Sequence, residues 1–463
     1  MDSIPHTQAT FAGQLAERIV ATGSSPLPPE SIYWSKIGLL DTVGVTLAGA
    51  REDCSRILGE VLECNQGPCV VIGTGTRANA LDAALINGTA AHALDYDNAT
   101  NTMFGHASAT MMPALLAAAE VHGSSGMDVL VAHIAGFEAG ARIGAAVNLH
   151  HYEIGWHPTS TLGVFAVAAA CAKLLKLDVA QTTTALALAT SLASGIKANF
   201  GTMTKPLHSG HCARAGLQAA LLARKGFSAN ASAFEHKQGF FNLYNGVGHY
   251  DAARALASWG EPLDIVNPGA CYKQYPCCAS THAAVDAVLE LREQHAFTPD
   301  DITRIETYTP ARRLAHTNRP DPQTPLDAKF SVQYCVARAL VSGSVVFEHF
   351  EGDALGDVQV RALLGKVQST THLPGQFPSN NNAGAEVRIS LRDGRVLMAH
   401  IERALGRTAQ NPVPEARMWE KFRSCARRVL DDAQVEKLVK AVNGFERVPD
   451  VLPFMALLAV PTR

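Results

Sequence analysis

Five short polar runs, set in a chain rich in alanine and glycine, carry the side chains able to move protons or hold anions. In HALDYDNATNTMFGHASATMMP (92–113), His92 and Asp95 stand three apart, Asp97 follows, and His106 closes a polar loop. Carboxylates beside imidazole tune its charge near neutral pH, which acid–base chemistry requires. The same aspartates would serve equally as caps of the next helix. In HHYEIGWHPTSTLGVF (150–165), Tyr152 is a candidate substrate contact. His157 precedes Pro158, so its backbone is expected to be extended, at the mouth of a helix beginning near Thr159 or Ser160. A histidine at a helix N-terminus among hydroxyls is suited to an anion, although a lone histidine is more often structural.

In FGTMTKPLHSGHCARAG (200–216), Pro206 is expected to hold Lys205 extended before a helix starting near Ser209. Thr202, Thr204, Lys205 and Ser209 then offer donors for a carboxylate or phosphate. The plain alternative is a lysine snorkelling past an apolar wall. His208 and His211 have a metal-like spacing, but no third-ligand pattern accompanies them, so no metal and no other cofactor is expected. In YKQYPCCASTH (272–282), Lys273 and His282 bracket a proline and the pair Cys277–Cys278. A Cys–His nucleophile and buried structural thiols both fit. Finally, DAKFSVQYCVARAL (327–340) sets Tyr334 on a helix, after a loop that carries Arg319. No P-loop, GxGxxG turn or GxSxG elbow occurs. His, Lys, Tyr and Asp are the equipment of a cofactor-free acid–base enzyme acting on anions.

The elements that must position these groups fall into two textures. Up to about residue 250 the chain reads as successive Ala/Gly-rich helices with apolar residues at helical spacing, one of them opened by Pro28-Pro29-Glu30. Past residue 265, DITRIETYTP alternates as a strand, and AEVRISLRDGRVLMAHIERA reads as a hairpin closed by a two-residue Asp393-Gly394 turn. Helical patterns at 279–294 and 327–341 flank them, and helices resume from about 412. At 463 residues, with 47% hydrophobic and 17% charged residues, two well-buried domains are expected. The net charge of −3 offers no basic field for nucleic acid or an anionic membrane. Ten scattered cysteines without a CxxC pair, no signal-like N-terminus and no run of about twenty apolar residues point to a cytoplasmic protein that does not cross a membrane.

Taken together, HALDYDNAT with its later GH, GWHPTSTLG, FGTMTKPLHSG, KQYPCC with its following TH, and AKFSVQY resemble the MmgE/PrpD family, in family order. The resemblance implies a mainly α fold: a large all-helical domain built from both termini plus an inserted α+β lid. The corresponding ranges here are 1–268, 269–405 and 406–463, in a homodimer with the active site in the interdomain cleft. It implies Asp95, His106, His157, Lys205, Lys273 and Tyr334 as site residues, with the family's loop threonine matching Ala99 or Thr100. Cys278 stands where the decarboxylating members have histidine, and His282 lies four residues on. Phe104 stands where the epimerases have arginine. The implied activity is proton movement beside a carboxylate of a small di- or tricarboxylate. The expected outcome is a lyase reaction, either dehydration of the 2-methylcitrate type or decarboxylation, with epimerisation of the iminodisuccinate type as the alternative. His157, His106 and Tyr334 would move protons and Asp95 orient a histidine or bind a hydroxyl. Lys205, Lys273 and Arg319 would clamp carboxylates, with Thr204, Cys278 and His282 lining the substrate. A Cys277/Cys278–His282 hydrolase is the distant alternative.

Overall fold

The computed structural model describes residues 10–64, 66–257, 259–378, 381 and 383–460. It divides into two compact units, one of residues 1–272, 408–410 and 414–463, the other of 273–407 and 411–413. The fold is mainly α with a small mixed sheet, as the texture of the sequence predicts.

In the first unit, Pro29–Gly49, Ala80–Ala93, Ala107–His122, Gly126–Val147, Gly163–Leu174 and Thr204–Arg224 are buried on nearly every side. Helices that are apolar all round belong in a core, and small residues let their backbones approach. Thr204–Arg224 packs on Ala80–Ala93 and on Gly163–Leu174. At the first of these crossings a Cβ on Gly210 would sit 2.0 Å from the Leu85 carbonyl oxygen, and one on Gly88 would sit 2.8 Å from Gly210 Cα. Only glycine fits there, and the close crossing joins the end of one helix, carrying His92, to the start of the other, carrying Lys205. Gly126–Val147 is long and apolar enough to cross a membrane, with a mean hydropathy of 1.2, contrary to the sequence expectation. However, 83% of that window is buried inside the fold, as befits a core helix.

Helix Glu415–Ala426, toward the C-terminal end, returns to this unit and packs on Pro29–Gly49. Its Lys421 Nζ lies 2.6 Å from Asp41 Oδ1 and donates to the Tyr96 carbonyl at 2.7 Å. Asp41 Oδ2 accepts from the backbone N–H and side-chain amide of Asn98 at 2.9 and 3.0 Å. This buried ion pair fixes the loop that follows His92.

The second unit has a four-stranded sheet in the order Val367–Thr371, Ile302–Thr309, Ala385–Leu391, Val396–Ile401; the first pairing is parallel and the others antiparallel. Helix His282–Gln294 packs on the hairpin strands, and Val332–Ser342 packs on that helix. The hairpin loop has three residues, not two, because Leu391 N–H donates to the Arg395 carbonyl, leaving 392–394 as the turn. Gly394 takes φ +90°, the left-handed position such a loop needs.

Candidate active site

His92 lies in the last turn of helix Ala80–Ala93, and Asp95 adopts φ +52°, a left-handed conformation that aspartate tolerates better than most residues. The chain then turns so that Asp97 lies under both rings of the first motif. His92 Nδ1 is 3.0 and 3.1 Å from the two Asp97 oxygens, and His106 Nδ1 is 2.8 Å from Oδ2. Asp97 is wholly buried. Burial opposes its ionisation, but His106 and His92 outweigh it and hold the carboxyl well below its usual range. Burial, reinforced by Lys205 and His106 and only partly offset by Asp97, lowers His92 to a pKa of about 4, so that ring is neutral at pH 7. Its Nε2 is buried without a hydrogen-bond partner.

His106 precedes helix Ala107–His122, and its N–H donates to Thr159 Oγ1 at 3.2 Å. Gly105 makes that contact possible, since a Cβ there would lie 2.7 Å from the Thr159 nitrogen. His157 has the extended backbone its proline requires (φ −97°, ψ 97°) and caps the short helix Pro158–Thr161. The His92 ring centroid is 4.4 Å from that of His106 and 6.0 Å from that of His157. Burial above all, with His92, Lys205, His208 and His106 nearby, holds His157 well below its ordinary pKa.

Lys205 corrects the sequence expectation. It is helical, in the first turn of Thr204–Arg224, and not extended before a helix at Ser209. Pro206 is accommodated there because the first-turn N–H groups have no intrahelical acceptor in any case. Lys205 Nζ lies 2.6 Å from Asp95 Oδ1 and 5.6 Å from the centroid of the Phe200 ring. Thr204 opens the same turn, its N–H donating to Thr202 Oγ1. Tyr152 lies under Lys197 Nζ, 3.6 Å from the ring centroid, and 6.1 Å from the Phe104 ring. Asp95, Asp97, His92, His106, His157 and Lys205 therefore form one polar cluster, with His208 joined to His157 at 3.0 Å. The donor atoms of His92, Asp97 and His106 lie within 4.8 Å of one another, close enough for a cation. Here the two imidazoles occupy the carboxylate themselves.

In the second unit, Tyr334 is fully buried; its hydroxyl donates to the His349 carbonyl and accepts from Arg338 Nη2 at 3.2 Å. Arg319 pairs with Asp327. Cys278 N–H donates to the Lys329 carbonyl, and His282 Nε2 donates to the Cys277 carbonyl at 3.3 Å. Cys277 Sγ is 3.3 Å from Thr281 Oγ1. Despite burial, Cys335 and His282 draw the Cys277 thiol below its ordinary range. Lys273 opens this unit.

The MmgE/PrpD N-terminal domain signature matches residues 13–252 and the C-terminal one residues 275–444. The chain belongs to the MmgE/PrpD family. Cis-aconitate decarboxylase of Homo sapiens is 30% identical over 444 residues, covering 93% of this chain and 91% of that protein. Cis-aconitate decarboxylase of Aspergillus terreus is 28% identical, covering 94% and 93%. A mitochondrial 2-methylcitrate dehydratase of Yarrowia lipolytica is 23% identical, covering 88% and 82%. This MmgE/PrpD chain is accordingly an enzyme, a carbon–oxygen or carbon–carbon lyase. The sequence alone left two of these residues with competing readings. Asp97 read as a helix cap or as a tuner of histidine charge, and His208 as half of a metal-like pair. Asp97 lies against His92 and His106, and His208 bonds His157, a contact no local signal could show because the two lie 51 residues apart.

Proposed function

We propose that the chain catalyses a cofactor-independent lyase reaction on a small di- or tricarboxylate, with cis-aconitate-like decarboxylation as the first reading. The observation that carries it is the cluster of buried imidazoles around one cation, Lys205, and two carboxylates. The whole-length similarity to decarboxylases supports the choice of reaction.

A carboxylate of the substrate competes with Asp95 for Lys205, a fixed cation that stabilises negative charge developing on the adjacent carbon. In decarboxylation the C–C bond breaks, CO₂ departs, and the electron pair spreads into a neighbouring carboxylate as an enolate. One proton per turnover, drawn from solvent, is relayed through His157 or His106 to carbon, the ring being protonated only transiently and returning to its neutral form. In dehydration the same imidazoles take the C–H proton and give one to the departing hydroxyl. Burial keeps His157 and His92 neutral at pH 7, so a vacant ring nitrogen is available as a base. Lys273 is proposed as a second carboxylate cation, with Arg319, His282, Cys278 and Tyr334 supporting it; Lys273→Ala then raises KM more than it lowers kcat. A homodimer without nucleic-acid or membrane partners is proposed too, and sedimentation reads the assembly.

Incubation with cis-aconitate, 2-methylcitrate, citrate and iminodisuccinate in D₂O, followed by NMR, tests the reading. CO₂ loss supports decarboxylation, and water loss moves the assignment to dehydration. Deuterium uptake with inversion replaces the lyase by an epimerase. No change in any of the four refutes the polycarboxylate reading.

A further inference from the structure

His157 is almost wholly enclosed. Its ring meets the Phe200 ring edge-on at a centroid distance of 4.8 Å, and its N–H donates to the Gly195 carbonyl at 3.0 Å. The ring's hydrogen bond runs from Nδ1 to His208 Nδ1, also at 3.0 Å. Two Nδ1 atoms at this distance share a single proton, so one ring donates and the other accepts. The tautomers are therefore opposed. When His157 carries the shared proton, its Nε2 is a base; when His208 carries it, neutral His157 bears its proton on Nε2 and is a donor.

His208 also lines a cavity of about 450 Å³ with Gly195, Leu207, His211 and Arg214, and His157 is absent from its wall. Ser194 and His211, at that wall, are exposed. His208 thus stands between the enclosed His157 ring and a cavity whose wall comes to the surface at Ser194 and His211. The pair has no carboxylate at the Nδ1 end, unlike His92 and His106 with Asp97. The partner of His157 is itself a base.

We propose that His208 is the positioning residue for His157: it fixes that ring and its tautomer, and it shares the charge when His157 exchanges a proton with the substrate. The inference rests on the acid–base reading above and names a residue that reading does not use. When Nε2 takes the proton of a C–H bond, the bonding pair stays on the substrate as the enolate. The Nδ1 proton then shifts toward His208, so the positive charge is spread over two rings, one of them on the wall of the cavity. Return of the proton to carbon or to a leaving group reverses both movements. Proton sharing through a charged hydrogen bond lowers the cost of forming imidazolium in a buried site.

Variants of the full-length chain test this. His208→Ala should lower kcat roughly 10- to 100-fold with KM little changed, the factor a hydrogen bond to a charged group is worth. Imidazole added at tens of millimolar should restore part of the loss, because the deleted ring leaves space continuous with the cavity. His208→Asn sets an amide where Nδ1 stood, which can orient His157 but cannot take up its proton. Its kcat should remain low. Wild-type kcat in His208→Asn, or a His208→Ala enzyme indifferent to imidazole, overturns the proposal. Should His208→Ala fail to fold, nitrogen-15 spectra of the histidine-labelled wild type and His208→Asn decide it. One Nδ1-protonated ring in the wild-type pair supports the proposal, and two Nε2-protonated rings overturn it. The spectra need no substrate, so failure to turn over polycarboxylates counts against the functional reading alone.

Discussion

Acid should unfold this protein through its buried neutral histidines. His92, His133 and His151 are 1%, 0% and 0% exposed. His133 is held between Ser35 Oγ at 3.0 Å and Ser108 Oγ at 3.2 Å, and His151 between Asn245 Oδ1 and Thr161 Oγ1, both at 2.8 Å. Burial lowers their pKa values to about 4, about 3 and about 4, from an ordinary 6.5. Each is a base whose folded pKa lies below its unfolded value, so the unfolded chain binds more protons through that window and stability falls as pH falls. The loss per histidine begins near the unfolded value, grows by about 1.4 kcal/mol per pH unit, and levels off near the folded one. At pH 5 each should cost about 2 kcal/mol and the three about 6, comparable with the whole net stability of many domains. His157 and His208, also lowered, act in the same direction. Asp97, held below its usual range, contributes nothing in this window, because its stabilisation is lost only below the ordinary carboxylate pKa; Asp264, raised by burial to about 7, works the other way and offsets about 2–3 kcal/mol by pH 5. Urea unfolding at pH 8, 7, 6 and 5 gives the slope directly, and His133→Gln should reduce it by about 1.4 kcal/mol per unit. A fall of less than about 2 kcal/mol between pH 8 and 5 would refute the neutral-histidine argument.

Three further outcomes are expected. Asp97→Asn removes the shared carboxylate and forces the wrong tautomer on His92 or His106; kcat should drop about 10²- to 10⁴-fold with an unchanged circular dichroism spectrum. Lys421→Met leaves Asp41 buried without its cation and should cost about 3–5 kcal/mol in denaturant titration, with activity falling because Tyr96 and Asn98 lose their anchor. Chelator dialysis followed by metal analysis should leave turnover unchanged; activity lost on dialysis and regained with a divalent cation would assign His92, Asp97 and His106 to metal binding.

Much of the site was legible because lysine, histidine and aspartate stand out in runs of alanine and glycine, where a polar residue needs a reason. His157 was placed correctly by one local rule, the restriction imposed by Pro158. The same rule misplaced Lys205, because packing of Thr204–Arg224 on Ala80–Ala93 outweighs the preference of a residue before proline. The hairpin was plain from its alternation, but the Asp393-Gly394 pair did not reveal a third loop residue. What the sequence hid was long-range. Nothing near Gly88 or Gly210 indicates that they meet, and His208 takes its role only from a ring 51 residues earlier.

The reach of Lys421 across 325 residues to Tyr96 also sets an order of events during synthesis. At ribosomal rates of about 5–20 residues per second, Tyr96 precedes its partner by roughly 15 to 65 s. Until Lys421 emerges, Asp41 has no cation and gains by staying hydrated, which opposes early closure of Pro29–Gly49 over the loop that carries Asp95 and Asp97. The nascent chain therefore holds its acid–base cluster unfinished until a helix made more than 300 residues later completes it.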